Sequence, residues 1–303
     1  MVRTLLPAAV FLALLSGSTA LADSGGGGGG ASPPNSGGAV PGDDIFGYTS
    51  GSDPGNVGDK QYFNENDARV GKRGGSYGVL DSKFAFGDTF AENSWASIGI
   101  FTAMTNSAGV PGLPDLQRVS FDGLALEGAR RVIERSALNP FAVSLDGEFD
   151  INLTDPVAGQ WATVFAATAK VFIDAPVIPD KLYWAANLEY SAVGEQAPGL
   201  GGAWAPSSLG LVSSALTWQV SPSFFFGAEA RYFSLSDNAT LSHEVDRALY
   251  VGPTALWKPN DKVALNVTVQ PQVYGHSAAS SSEALDLDNF ERAQFRVKLV
   301  AAF

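Results

Sequence analysis

The last stretch of the chain, Asn289-Phe290-Glu291-Arg292-Ala293-Gln294-Phe295-Arg296-Val297-Lys298-Leu299-Val300-Ala301-Ala302-Phe303, decides the fold. Phe303, Ala301, Leu299, Val297, Phe295 and Ala293 fall on one face. Ala302, Val300, Lys298, Arg296, Gln294 and Arg292 fall on the other. A period of two describes a strand with two unlike surfaces. One surface is wholly apolar, and the other carries three cations and a glutamine. A soluble sandwich would turn the polar face to water and the apolar face to a core. A barrel turned inside out, with lipid outside and a wet lumen within, reads the same way.

The opposite end of the chain favours the barrel. Met1 to Ala22 has a basic start at Arg3, an apolar run from Leu5 to Leu15 and a small-residue site at Ala20-Leu21-Ala22, the layout of a cleaved secretory signal. The run is short for a membrane-spanning helix. Its removal leaves 18 basic and 31 acidic side chains, a net charge of −13, which speaks against a nucleic-acid partner. The chain has no cysteine, so backbone pairing and burial alone must hold the fold. Residues 23–43 are rich in Gly, Ser and Pro, with a run of six glycines, and read as a flexible tether. That run is not a phosphate-binding loop, because no strand precedes it and no helix follows. The barrel domain is expected over 44–303. It opens on Ile45-Phe46-Gly47-Tyr48-Thr49, a short strand or plug-like segment, and Gly71-Lys72-Arg73-Gly74-Gly75 reads as a solvated turn.

From there strand-like stretches recur at 60–70, 76–88, 94–105, 118–131, 140–153, 159–173, 180–193, 206–219, 223–235, 246–257, 262–275 and 289–303. Twelve is an even number, as a barrel with both termini on one side requires. Tight turns near Ala91-Glu92-Asn93, Ser136 to Asn139, Pro176 to Asp180, Ser221-Pro222 and Pro259-Asn260-Asp261 alternate with longer connections such as Asn106 to Gln117 and His276 to Asp288. Short turns on one rim and long loops on the other are the layout of an outer-membrane barrel. In 140–153, Phe141, Val143, Leu145, Phe149, Ile151 and Leu153 alternate with Ser144, Asp146, Glu148, Asp150 and Asn152. Three carboxylates on one strand face would be ruinous against lipid, so that face is wet. Trp95, Trp161, Trp184, Trp218, Trp257, Tyr190, Tyr232 and Phe303 gather near strand ends, where interfacial girdles would place them. Leu124 to Leu138 has helix formers, yet we read it as a strand ending near Arg131 and then a turn.

No stretch carries an enzyme's chemistry. His243 and His276 are the only histidines, and neither has a second histidine at ligand spacing, so neither a metal nor another cofactor is expected. Glu283, Asp286 and Asp288 lack the alternating-ligand loop of a dedicated calcium site and read as solvated charge. Ser242 and Glu244 flank His243, but neighbours on a strand point apart, whereas a triad must converge. What remains is the inward charge: Lys83, Asp146, Glu148, Asp150, Glu189, Glu229, Arg231, Arg292, Arg296 and Lys298 are the candidate lumen-lining residues. Closure would set Arg292, Arg296 and Lys298 beside Glu65 and Asp67. Such charges either guide polar solutes across a pore or fill it with ion pairs. Because few bulky residues are counted among the lumen-facing positions, an open pore is favoured over a plugged one.

The terminal aromatic at Phe303 resembles the signal by which bacterial outer-membrane barrels are recognised for insertion, which implies the barrel-assembly machinery and outer-membrane lipid as partners. Several stretches also resemble an uncharacterised family of proteobacterial outer-membrane β-barrel proteins, porin- or transporter-like. They are Asp44-Ile45-Phe46-Gly47-Tyr48-Thr49 with Gly51-Ser52-Asp53, Gly71 to Gly75, Gly227-Ala228-Glu229-Ala230-Arg231-Tyr232, Val251-Gly252-Pro253-Thr254, and Asn289 to Arg292 with Gln294, Arg296 and Lys298. The resemblance implies a barrel in the Gram-negative outer membrane and supplies no substrate or catalytic residue. The expected protein is therefore an all-β, up-and-down antiparallel barrel that passes small polar solutes. The alternative is a non-conducting structural or partner-binding barrel that acts through its outer loops, and an enzymatic barrel with His243 or His276 as a base comes a distant third.

Overall fold

The computed structural model describes residues 45–155, 157–196, 201–278 and 284–303; the expected signal peptide, the linker and Glu283 lie outside them. Twelve strands follow one another. They are β1 (Lys60–Val70), β2 (Ser76–Ala91), β3 (Ser94–Ala108), β4 (Leu116–Ile133), β5 (Ala142–Thr154), β6 (Trp161–Ile178), β7 (Leu182–Gln196), β8 (Ala205–Ser221), β9 (Phe224–Ser236), β10 (Glu244–Asn260), β11 (Val263–Ser277) and β12 (Ala293–Ala302). Each pairs antiparallel with its sequence neighbours, and β12 closes on β1. The seam is in register over the whole of β12, with Glu65 opposite Lys298 and Asp67 opposite Arg296. The strands run from 10 to 18 residues, enough for the roughly 9–11 that a tilted strand needs to cross a bilayer core.

The alternation decides which way the barrel faces. Phe86, Ile98, Leu126, Leu188, Val212 and Trp257 each leave more than half their surface on the outside. Lys170, Arg231, Arg296 and Glu148 are buried inside. An apolar belt of that extent around a polar interior is stable in lipid and costly in water, which rules out the soluble sandwich. Two tight turns use the left-handed backbone region, Asn93 with φ 58° and Asp180 with φ 58°. Asn and Asp tolerate that region because their short polar side chains bond the local backbone. These turns share a rim with the start of β1 and the end of β12, where the Phe303 amide donates to the Lys60 carbonyl at 3.1 Å. On the outer-membrane layout this rim is periplasmic, and the longer loops are extracellular. Leu124 to Ile133 is strand throughout, with a bulge after Arg131, so the expectation of a strand there holds.

Candidate functional site

Strand alternation carries the lumen charges to two walls. At the seam, Arg296 grips Asp67 with two hydrogen bonds of 2.8 and 2.6 Å, and Lys298 meets Glu65 at 3.2 Å. On the wall made by β2, β4, β5 and β6, Lys170 Nζ lies 2.9 Å from Glu127, 2.8 Å from Glu148 and 3.3 Å from Asp146. Lys83 reaches Glu148 at 2.7 Å and Glu127 at 3.5 Å. Taking a charge out of water costs several kcal/mol, so each cation is surrounded by carboxylates. The second wall keeps an acidic excess, because Asp150 and Glu189 face it as well. Both Asp150 oxygens are buried without a hydrogen-bond partner.

The periplasmic half of the lumen is occupied by the chain itself. Ile45 and Phe46 pack among Phe63, Trp95, Tyr183, Phe225 and Leu256, an apolar collar inside the barrel. The segment then rises to the level of Glu229, whose carboxylate accepts from the amides of Gly47, Tyr48 (2.8 Å) and Thr49 (3.3 Å). A Cβ on Gly47 would overlap Thr268, Glu229 and Thr254, so only glycine passes. The Tyr48 ring lies 3.3 Å from the Arg231 guanidinium carbon and 4.3 Å from that of Arg296, so both cations sit close to its π-face. Thr49 Oγ1 donates to Ser213 Oγ at 3.2 Å, and Asn266 donates to the Phe46 carbonyl at 2.7 Å. The segment returns at Ser52, whose amide donates to Asp174 at 2.5 Å and whose carbonyl accepts from Ser144 at 2.6 Å and Arg131 at 3.1 Å. Arg131 also pairs with Asp53 at 2.5 Å, and Arg135 pairs with Asp174.

The extracellular half is narrowed from above. In the β11–β12 connection Phe290 is fully buried against Phe233, 6.0 Å between centroids, in a cluster with Tyr250, Leu209 and Leu211. The Tyr250 hydroxyl donates to the Glu291 carbonyl at 2.8 Å, and the Arg73 amide to the Leu287 carbonyl at 2.9 Å. Lys72 is buried, not solvated as its turn suggested, and donates to the Asn289 carbonyl at 2.8 Å. Burial pulls its ammonium below the usual lysine range, against the opposing pull of Glu291.

Of the candidate lumen residues, Lys83, Asp146, Glu148, Asp150, Glu189, Glu229, Arg231, Arg296 and Lys298 all turn inward. Arg292 does not. It is exposed and precedes β12, which begins at Ala293, because its backbone is drawn off to bond Gly71 and Gln272. Trp95 also departs from expectation, pointing into the apolar collar instead of the interfacial girdle. Nor are bulky lumen-facing residues few: Tyr183, Phe225, Phe233, Tyr250, Leu209 and Leu211 are all buried within. In aromatic runs such as Phe224-Phe225-Phe226 the middle ring faces in when its neighbours face lipid. His243 Nδ1 lies 2.7 Å from Asp237 Oδ1 in an exposed loop, but Ser242 bonds Asn238 and Thr240 instead. Residues that the strand pattern missed are those outside strands, Tyr48 and Ser52 above all. Only their Gly-punctuated, partly apolar sequence marked them.

The architecture has known counterparts. The COG4313 outer membrane channel from Pseudomonas putida F1 has a TM-score of 0.52 at 12% identity, covering 90% of this chain and 100% of the other. The beta domain of the Bordetella autotransporter BrkA also has a TM-score of 0.52, at 9% identity, covering 82% of this chain and 100% of its own. At such identities the likeness is one of fold, that of outer-membrane barrels. No curated protein matches the chain. A family model matches residues 38–303, and the chain belongs to that family, DUF6662, a family of unknown function.

Proposed function

We propose that the barrel is an outer-membrane channel for small polar solutes, held shut by its own segment 45–55. One observation carries the reading: above the Ile45–Phe46 anchor, the segment meets the wall through exchangeable polar contacts. Glu229, Asp174, Ser144, Ser213 and Arg131 hold its backbone and hydroxyl groups. Water or a polar solute can take over each of those bonds, so the wall stays wettable when the segment leaves. The fold it shares with a protein named a channel supports the reading without extending it to any solute. The test is conductance of the refolded mature protein in a planar bilayer, beside a variant lacking residues 45–55. Brief or rare openings in the full chain and stable steps in the deletion are expected. A correctly folded deletion variant that stays silent would refute the channel.

A non-conducting barrel is the second reading. It is favoured by the filling of the lumen from both ends, by Tyr48 below and Phe290 above. Silence in both proteins would select it.

A further inference from the structure

Arg231 is a buried cation without an ion-pair partner. It faces the lumen from β9 and is 1% exposed, yet among the described residues no carboxylate lies within ion-pair distance of it. Its hydrogen-bond partners are neutral: Nε donates to Gln270 Oε1 at 2.7 Å, and Nη2 donates to Gln294 Oε1. Nη1 donates to no described group. Arg296, by contrast, is answered by Asp67 with two hydrogen bonds. A guanidinium taken out of water is costly unless an anion meets it, so Arg231 is a place prepared for negative charge.

Glu229 stands two residues away on the same face of β9, about 6.5 Å along the strand, twice the rise per residue. Gln270 bridges the two charges and fixes them in place. Its Oε1 accepts from Arg231, and its Nε2 donates to Glu229 Oε2 at 3.4 Å. Gln294 is oriented in turn, since its Nε2 donates to Glu291 Oε2 at 3.4 Å. Opposite charges held in place by amides form a preorganised pair, ready for a ligand that spans them.

One residue of the lumenal segment spans them already. The Tyr48 amide donates to Glu229 Oε2 at 2.8 Å, and the Tyr48 ring lies 3.3 Å from the Arg231 guanidinium carbon. The carboxylate thus meets the N–H end of a single amino-acid unit, and the guanidinium meets its electron-rich end. An ammonium is a stronger partner than an amide for Glu229, and a carboxylate is a stronger partner than a ring face for Arg231.

We propose that, once segment 45–55 has withdrawn, Glu229 and Arg231 bind the ammonium and the carboxylate of an α-amino acid, making amino acids the class of solute that the channel selects. The inference rests on the proposed withdrawal of that segment. A simple anion or cation meets one attracting and one repelling group there, whereas a zwitterion meets two attracting ones. The free Nη1 of Arg231 is the edge that receives the carboxylate. Period-two alternation shows Glu229 and Arg231 as two lumen charges, but Gln270, Gln294 and Tyr48 come from other parts of the chain and join them only in the fold.

The test is isothermal titration of L-alanine into the mature protein carrying Gly47→Ala, which cannot seat the segment, repeated on the variant lacking residues 45–55. Heat-modifiable migration checks the folding of each. One saturable site for L-alanine is expected, with alaninamide and N-acetylalanine weaker by about tenfold or more, since each lacks one of the two charges. Arg231→Gln should remove the preference over alaninamide, and Glu229→Gln the preference over N-acetylalanine, a crossed pattern that loss of folding does not produce. In the unaltered chain L-alanine competes with the segment and should speed hydrogen exchange at the Tyr48 amide. No saturable binding and no change in that exchange overturn the proposal. Equal binding of the three compounds, or preferences that both substitutions leave untouched, overturn it as well. Binding is read without conduction: a silent barrel that binds L-alanine refutes the channel and leaves the site, whereas a conducting barrel indifferent to L-alanine refutes the site and leaves the channel.

Discussion

Glu229→Ala is the sharpest probe of the closed state. One carboxylate takes three successive backbone amides, from Gly47, Tyr48 and Thr49, at the top of the lumenal segment. Hydrogen bonds to a charged acceptor contribute about 1.5–3 kcal/mol each in isolation, but three amides on one group share a single charge. A loss of about 3 kcal/mol for the set is a reasonable working value. At about 1.4 kcal/mol per factor of ten, the ratio of closed to open should fall by roughly a hundredfold. The barrel itself should survive, because the Glu229 side chain faces the lumen and its removal leaves the backbone ladder to Ala215 on β8 and Gly252 on β10 intact. Single-channel recording measures the open fraction directly. The control places Thr49→Cys and Ser213→Cys together in this cysteine-free chain, where the replaced oxygens lie 3.2 Å apart. Oxidation should silence Glu229→Ala in that background, and a reductant should restore its openings. An unchanged open fraction in Glu229→Ala would refute the reasoning. So would a rise that persists when the segment is cross-linked, since conduction would then bypass it.

Gly47→Ala should open the channel through sterics alone, because the added methyl overlaps Thr268, Thr254 and Glu229; heat-modifiable migration should be unchanged while conductance rises. Lys298→Gln leaves Arg296 to hold Glu65 at 3.7 Å and should shift ion selectivity towards cations; unchanged selectivity would count against a conducting path along the seam. Asp155 in the β5–β6 loop accepts from the amides of Val157 (2.7 Å) and Ala158 (2.9 Å), and burial pushes its carboxyl up to about 7 from an ordinary 3.8. The raised value means that its stabilisation of the loop is fully present below about 3.8 and is lost as pH rises through about 7. Hydrogen exchange at Val157 and Ala158 should therefore accelerate across that window, and Asp155→Asn should flatten the profile.

The strands and their facing were legible because period-two alternation is a local property: each residue's side is set by its parity along the chain. That is why the first and last strands alone place Arg296 and Lys298 beside Asp67 and Glu65. The same rule explains the error at Arg292. Parity holds only as far as the ladder does, and at Arg292 the backbone has left it to bond Gly71 and Gln272. That Lys170 is the hub of three carboxylates is decided by the fold, because pattern gives a side and not a distance.

By itself, the sequence determined an inside-out antiparallel barrel of twelve strands, its short and long rims, and the charged character of its interior. It marked Ile45 to Thr49 as a short strand or plug-like segment without deciding between the two or saying where that segment goes. Only the tertiary structure decided that the lumen is filled, since filling depends on what meets across the ring. Tyr48 finds Arg231 and Arg296, Glu229 finds the Gly47 amide, and Gln270 finds Arg231, through contacts between residues that no local periodicity relates. Alternation is fixed by the geometry of a single strand. Occupancy of a closed space is a sum over the whole chain, and only the folded chain evaluates it.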